Sequence, residues 1–156
     1  MKKILLVFVF LFAVGLVYAV PATPSECSSM TFDKVIVGTS AADSLRGTGG
    51  RDLIFGLGGA DSIYGYGGAD CIVGDAGADY IVSGDGNDKV LGGADADYIK
   101  LGNGADYADG NSGADYILGE AGNDTLLGGT DNAWDVVKGG LGTDTCDAET
   151  KNSCEM

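Results

Sequence analysis

The chain has no histidine, two prolines, one tryptophan and nine basic residues against 23 acidic ones. Without histidine, Ser-His-Asp and Cys-His catalytic arrangements are excluded. With no Cys-x-x-Cys either, a zinc site has few ligands to draw on. Bases are too scarce to hold nucleic acid or an anionic membrane, and the formal charge of −14 should repel both and attract cations. Proline is rare and glycine does not recur at every third position, so the 28 glycines are not those of collagen. Long apolar runs are missing beyond the first 22 residues. Disorder, the usual meaning of so acidic a composition, does not suit a chain that is 45% hydrophobic with those residues regularly placed.

The one apolar run lies at the start, in MKKILLVFVFLFAVGLVYAVPA. Lys2 and Lys3 precede an apolar stretch from Ile4 to Val17, and Val17 with Ala19, or Val20 with Ala22, offers a small-residue cleavage site. This predicts a secretory signal peptide over 1–19, with cleavage as late as 22, and an exported, soluble product without membrane insertion. The run is short for a retained membrane span. Four cysteines agree with an oxidising compartment. Cys146 and Cys154 flank a short polar tail, 148–156, that a bridge between them would close, leaving Cys27 and Cys71. Four cysteines allow three pairings, and the sequence does not choose among them.

What is abundant is periodic. Aspartate occurs at 43, 52, 61, 70, 79, 88, 97, 106, 115 and 124, nine residues apart without a miss. A two-residue insertion around Asp131 to Trp134 shifts the phase, and Asp135 and Asp144 resume it. Two residues after each aspartate stands an apolar residue, from Leu45, Ile54, Ile63 and Ile72 onward to Cys146. Two residues before it glycine stands in nine of the twelve repeats, and four residues after it glycine is again usual.

Helical spacing of three and four is absent. Three-residue units such as Tyr116-Ile117-Leu118 make short strands with the middle side chain on one face, and the glycine-rich segments between them make turns. Strand plus turn is half a coil. The fold expected is all-β: a right-handed parallel β-roll, or β-solenoid, with two nine-residue repeats per coil, spanning 34–147 after an N-terminal segment over 20–33. Residues 34–42 keep Ile36 at the inward position but carry Lys34 where aspartate belongs. They read as a degenerate cap repeat.

An eighteen-residue coil sorts the aspartates into two ladders. One holds Asp43, Asp61, Asp79, Asp97, Asp115 and Asp135; the other holds Asp52, Asp70, Asp88, Asp106, Asp124 and Asp144. Neighbours in a ladder would stand about 4.8 Å apart. Each like-charge pair costs about 1 kcal/mol even in water, and the ten pairs together roughly 10 kcal/mol, comparable with the whole stability of an ordinary domain, about 5–15 kcal/mol. A cation between coils removes that cost. Ca²⁺ takes six to eight carboxylate and carbonyl oxygens in flexible geometry, which suits such turns better than the octahedral demands of Mg²⁺.

This pattern resembles the RTX, or hemolysin-type, nonapeptide repeat G-G-x-G-x-D-x-U-x, a known Ca²⁺-binding parallel β-helix motif. The resemblance covers about two thirds of the chain. It implies multiple Ca²⁺ ions between stacked turns, with the twelve aspartates from Asp43 to Asp144 as side-chain ligands and turn carbonyls completing each site. About eight to ten ions are expected by analogy and geometry, with one site spoiled by the Asp131–Trp134 insertion. Asp85 and Asn103 are candidate extra ligands. Only Gly139-Gly140-Leu141-Gly142-Thr143-Asp144 carries all three family glycines. Glycine gives way to Ser83 and Leu101, and Asp95 stands at another turn-glycine position. Many family members are exported by an uncleaved C-terminal signal, whereas this chain carries an N-terminal one.

A non-enzymatic role is expected, since the ladders account for most acids and no insertion is long enough to wall a cleft. A glycan-acting carboxylate pair and an ice-binding face, for which threonine is too scarce, are weaker readings. Adhesion or assembly is the main alternative. Tyr80, Tyr98 and Tyr116 should form an outward aromatic ladder, with Tyr107 on the other sheet. Phe55, Val73, Leu91 and Leu127 should form an outward apolar stripe, interrupted by Asp109, that could meet a protein or surface partner.

Overall fold

The computed structural model describes residues 21–131 and 133–147. The expected signal peptide over 1–19, Cys154 and the tail over 148–156 lie outside the described residues.

The short strands stack by coil, as the eighteen-residue repeat requires. One parallel sheet contains β1 (Lys34–Val37), β3 (Asp52–Phe55), β5 (Cys71–Ala76), β7 (Lys89–Ala94), β9 (Tyr107–Ser112), β11 (Thr125–Leu127) and β13 (Thr145–Cys146), in that spatial order. The other contains β2 (Ser44–Arg46), β4 (Ser62–Gly67), β6 (Tyr80–Asp85), β8 (Tyr98–Asn103), β10 (Tyr116–Ala121) and β12 (Val136–Leu141). Successive strands alternate between the two sheets, so the chain winds as a β-solenoid. Register follows the repeat, with Ile54 opposite Ile72, Ile72 opposite Val90, and Ile63 opposite Ile81. The register continues past the insertion: Tyr116 pairs with Val136 and Leu126 with Cys146.

The core is a column of the clock's apolar residues. Ile54, Ile63, Ile72, Ile81, Val90, Ile99, Ala108, Ile117, Leu126 and Val137 are fully buried in one cluster, with Ile36, Leu45 and Cys146 packed at its ends. Leu101 is fully buried in the same cluster. It lies off the apolar clock, in the coil where Ala108 supplies little volume.

A second apolar layer lies outside the seven-stranded sheet. The N-terminal segment makes a short 3-10 turn at Ser25–Cys27, then crosses the sheet's outer face on its way into β1. Met30 and Phe32 pack on Leu53, Phe55 and Val73 there, and Cys27 is bonded to Cys71. The Lys89 ammonium donates to the Glu26 carbonyl, tying the segment to β7. The expected free stripe is thereby corrected: Phe55 is 2% and Val73 7% exposed, because residues close by in the chain cover them. An apolar sheet face beside an apolar segment buries itself, since each buried side chain contributes about 1.5–3 kcal/mol.

A Cys27→Ser/Cys71→Ser double variant should therefore lose about 2–4 kcal/mol of stability, the usual contribution of a native bridge. It should also bind a hydrophobic dye as Phe55 becomes accessible. Denaturant unfolding in Ca²⁺ and dye fluorescence would check both effects.

The tyrosine ladder forms as expected. Tyr80, Tyr98 and Tyr116 stack with centroids 5.1 and 5.4 Å apart and planes within 5°. Tyr64 extends the ladder at 6.1 Å, and Lys138 closes it, with its ammonium 5.2 Å from the Tyr116 ring centre. The rings spend their faces on one another, so the ladder presents ring edges, not a flat aromatic platform.

Candidate metal centre

Each clock aspartate ends a turn and stands at or just before the start of a strand, so its backbone is held by the parallel ladder on both sides. Its N–H donates to Oδ1 of the aspartate one coil further on. Asp43 donates to Asp61, Asp61 to Asp79, Asp79 to Asp97, Asp97 to Asp115 and Asp115 to Asp135, over 2.7–3.0 Å. The second row runs from Asp52 through Asp70, Asp88, Asp106 and Asp124 to Asp144 over 2.8–3.0 Å. All ten neighbouring pairs expected from the sequence are brought together. The insertion, expected to spoil a site, leaves the row intact, because Asp115 still reaches Asp135 across it.

From Asp61 and Asp70 onward Oδ1 is thus satisfied, while Asp52 Oδ1, at the head of its row, is buried without a partner. Oδ2 of Asp61, Asp70, Asp79, Asp88, Asp97, Asp106, Asp115 and Asp124 is buried and has no hydrogen-bond partner. These residues are at most 3% exposed. A buried charged oxygen without a donor is costly, and the carboxyls respond by holding protons. Burial, opposed by the backbone N–H of the preceding coil and reinforced by neighbouring carboxylates, pushes Asp70, Asp97 and Asp106 up to about 7. Burial likewise pushes Asp79 and Asp115 up to about 6. Asp61, Asp88 and Asp124 shift upward for the same leading reason.

The unsatisfied oxygens face backbone carbonyls across a space that only glycine leaves free. A Cβ placed on Gly56 would lie 2.6 Å from both Asp61 Oδ2 and the Gly74 carbonyl oxygen. One on Gly65 would lie 2.5 Å from both Asp70 Oδ2 and the Ser83 carbonyl oxygen. Gly74, Gly92, Gly110 and Gly119 open onto Asp79, Asp97, Asp115 and Asp124 in the same way, opposite the carbonyls of Gly92, Gly110, Gly128 and Gly139. Ca²⁺ binds oxygen at 2.3–2.6 Å, so each cradle has a point at which a carboxylate and a carbonyl sit at about that distance. No cluster of three or more His, Cys, Asp or Glu side chains that could hold a metal forms among the described residues. The donors offered are one carboxylate per cradle together with backbone carbonyls, an all-oxygen set that fits a hard divalent cation and not a thiophilic one.

Comparison with protein families turns on this repeat. The model of the RTX calcium-binding nonapeptide repeat matches residues 37–72, 64–99, 73–108, 100–134 and 109–146. The chain belongs to this RTX calcium-binding repeat family. No curated protein matches it. In this RTX repeat chain the stacked aspartate ladder and its all-oxygen cradles fit the calcium binding for which the repeat family is described.

Other expected ligands sit elsewhere. Asp85 and Asn103 meet each other on the exposed side of the six-stranded sheet, where the Asn103 amide donates to Asp85 Oδ1 at 2.7 Å. The first two repeats differ in a way the sequence reading missed. Thr39 donates its N–H and hydroxyl to Asp43 Oδ2 at 2.7 and 2.8 Å. Thr48 serves Asp52 Oδ2 in the same manner, its hydroxyl at 2.9 Å. A threonine four residues before the clock aspartate, found only in those two repeats, was the available signal. At the following turns the same position is held by Leu57, Tyr66, Asp75, Asn111 and Glu120, each with φ between 69 and 78°. Of the cysteines, Cys27 and Cys71 form a disulfide with Cα atoms 6.1 Å apart. Cys146 is also disulfide-bonded.

Proposed function

We propose that this RTX repeat chain is a secreted, non-enzymatic calcium-binding protein whose roll is completed by several Ca²⁺ ions held between its turns. The observation that carries the reading is the row of buried Asp Oδ2 atoms without a donor, six of which, on Asp61, Asp70, Asp79, Asp97, Asp115 and Asp124, face a carbonyl across a glycine. Asp61, Asp70, Asp79, Asp97, Asp115 and Asp124 would supply carboxylate oxygen, and the facing turn residues carbonyl oxygen. The bound ion supplies the positive charge that the chain's few bases do not. Folding and ion binding are then one process. In low Ca²⁺ before export the chain stays loose, and in the Ca²⁺ of the extracellular space it closes. The basic-then-apolar start of the sequence supports export through the general secretory route. A non-catalytic role is supported by the absence of histidine and by the engagement of the clock aspartates in the ladder.

Limited trypsin digestion tests the reading. Lys34, Arg46, Arg51, Lys89, Lys100 and Lys138 are spread along the roll. Ca²⁺ should protect these sites and chelator expose them, with Mg²⁺ a poor substitute. Equal resistance with and without Ca²⁺ would show that the roll needs no ion.

A further inference from the structure

The two edges of the roll are not alike. On the edge where the chain passes from the seven-stranded to the six-stranded sheet, the residue five before the clock aspartate is glycine at Gly38, Gly56, Gly74, Gly92 and Gly110, and Gly128, seven before Asp135 because of the insertion, takes the same place. On the opposite edge the series runs Gly47, Gly65, Ser83, Leu101, Gly119 and Gly139. Its two central cradles carry side chains.

Both side chains are fully buried. The Ser83 hydroxyl donates to the Leu101 carbonyl at 3.1 Å, the carbonyl that its own cradle would turn toward an ion. The same side chain stands against the Asp88 carboxylate. Leu101 extends into the apolar core, in the coil where Ala108 supplies little volume. Asp106, preceded at this position by leucine and not glycine, keeps its Oδ2 buried without a hydrogen-bond partner. At the N-terminal end Asp43 and Asp52 already hold two donors each from Thr39 and Thr48.

Resting on the calcium reading above, we infer that the roll carries two unequal ion rows. One is an unbroken row of four sites at Asp61, Asp79, Asp97 and Asp115. The other is reduced to two isolated sites, at Asp70 and Asp124, by the Ser83 and Leu101 side chains. The unbroken row is internally coupled. Gly74 lends its carbonyl to the Asp61 cradle while its own Cα faces the Asp79 cradle, and Gly92 and Gly110 repeat the arrangement. Filling one site fixes the glycine that shapes the next. On the other edge that chain of shared glycines is cut at Ser83, so Asp70 and Asp124 bind independently. The total is about six ions, below the eight to ten that counting repeats suggests.

The test is a count of bound Ca²⁺ by equilibrium dialysis, with binding isotherms, on the disulfide-bonded chain and two variants. Wild type should hold six ions, four of them in a steep phase. Ser83→Gly reopens a cradle and should add one. Gly92→Ser copies the native plug into the unbroken row, and should remove one and flatten the steep phase. Circular dichroism checks that Gly92→Ser folds; if it does not, Ser83→Gly still decides. Ca²⁺ bound in a number unchanged by Ser83→Gly overturns the unequal rows alone. A wild-type chain that binds no Ca²⁺ overturns the calcium reading itself and this inference with it.

Discussion

Stripped of Ca²⁺ at neutral pH, the chain is expected to lose most of its β-sheet circular dichroism, and to regain it in one cooperative step as Ca²⁺ is added. The reason lies in the fold's proportions. Among the described residues its inner core is one narrow column, with a small second layer outside the seven-stranded sheet, so apolar burial is modest for the chain length. Against it stand nine buried oxygens of the clock aspartates without donors, each on a group whose ionised form is costly to bury. An ion that binds only the folded roll adds about 4 kcal/mol per site when free Ca²⁺ is a thousandfold above its dissociation constant. Two or three such sites equal the whole stability of an ordinary domain. The transition should therefore be large and not a small shift in melting temperature. Mg²⁺ at equal concentration should do much less, because it holds its water and demands octahedral geometry. A spectrum already rich in β-sheet in chelator, and indifferent to Ca²⁺, would mean that the orphaned oxygens are tolerated as protonated carboxyls.

The second large effect is a reversal in pH dependence. In the ion-free roll Asp70, Asp97 and Asp106 titrate near 7, and Asp79 and Asp115 near 6, all raised chiefly by burial. In the unfolded chain each returns to about 3.9. Between roughly pH 4 and 7 the folded state therefore binds more protons than the unfolded state, and its stability falls as pH rises. Acidifying calcium-free protein from pH 7.5 to 5 should restore part of the lost β signal. In saturating Ca²⁺ the sign inverts. An ion needs the ionised carboxylate, so protons compete with it, and acidification should release Ca²⁺ and destabilise the roll. Thermal or urea midpoints at the two pH values, with and without Ca²⁺, would show the slopes crossing. Slopes of the same sign in both conditions would remove the carboxylate row from any part in ion binding.

Some of the site was not legible in the sequence for reasons that can be named. Ser83 and Leu101 stood out as lost glycines, but whether their side chains would bulge outward or fill the cradles depends on which way that residue's Cα–Cβ bond points. That direction is set by the coil above. The Thr39 and Thr48 caps rest on a local spacing that a nine-residue template passes over. The apolar stripe of Phe55 and Val73 was placed correctly on the outer face, yet its covering by Met30 and Phe32 came from a segment without periodicity. Periodicity was the one signal by which strands could be placed.

The sequence alone determined the repeat, the two sheets, the inward column and the sorting of twelve aspartates into two ladders. All of these follow from one fact, that a regular period in a chain becomes a regular position in space. Tertiary structure alone decided which carboxylate oxygens are left without donors, which cradles are open, and what lies over the outer sheet. Each of those depends on atoms a full coil apart, or on a segment that folds back from outside the repeat. No local pattern records such contacts.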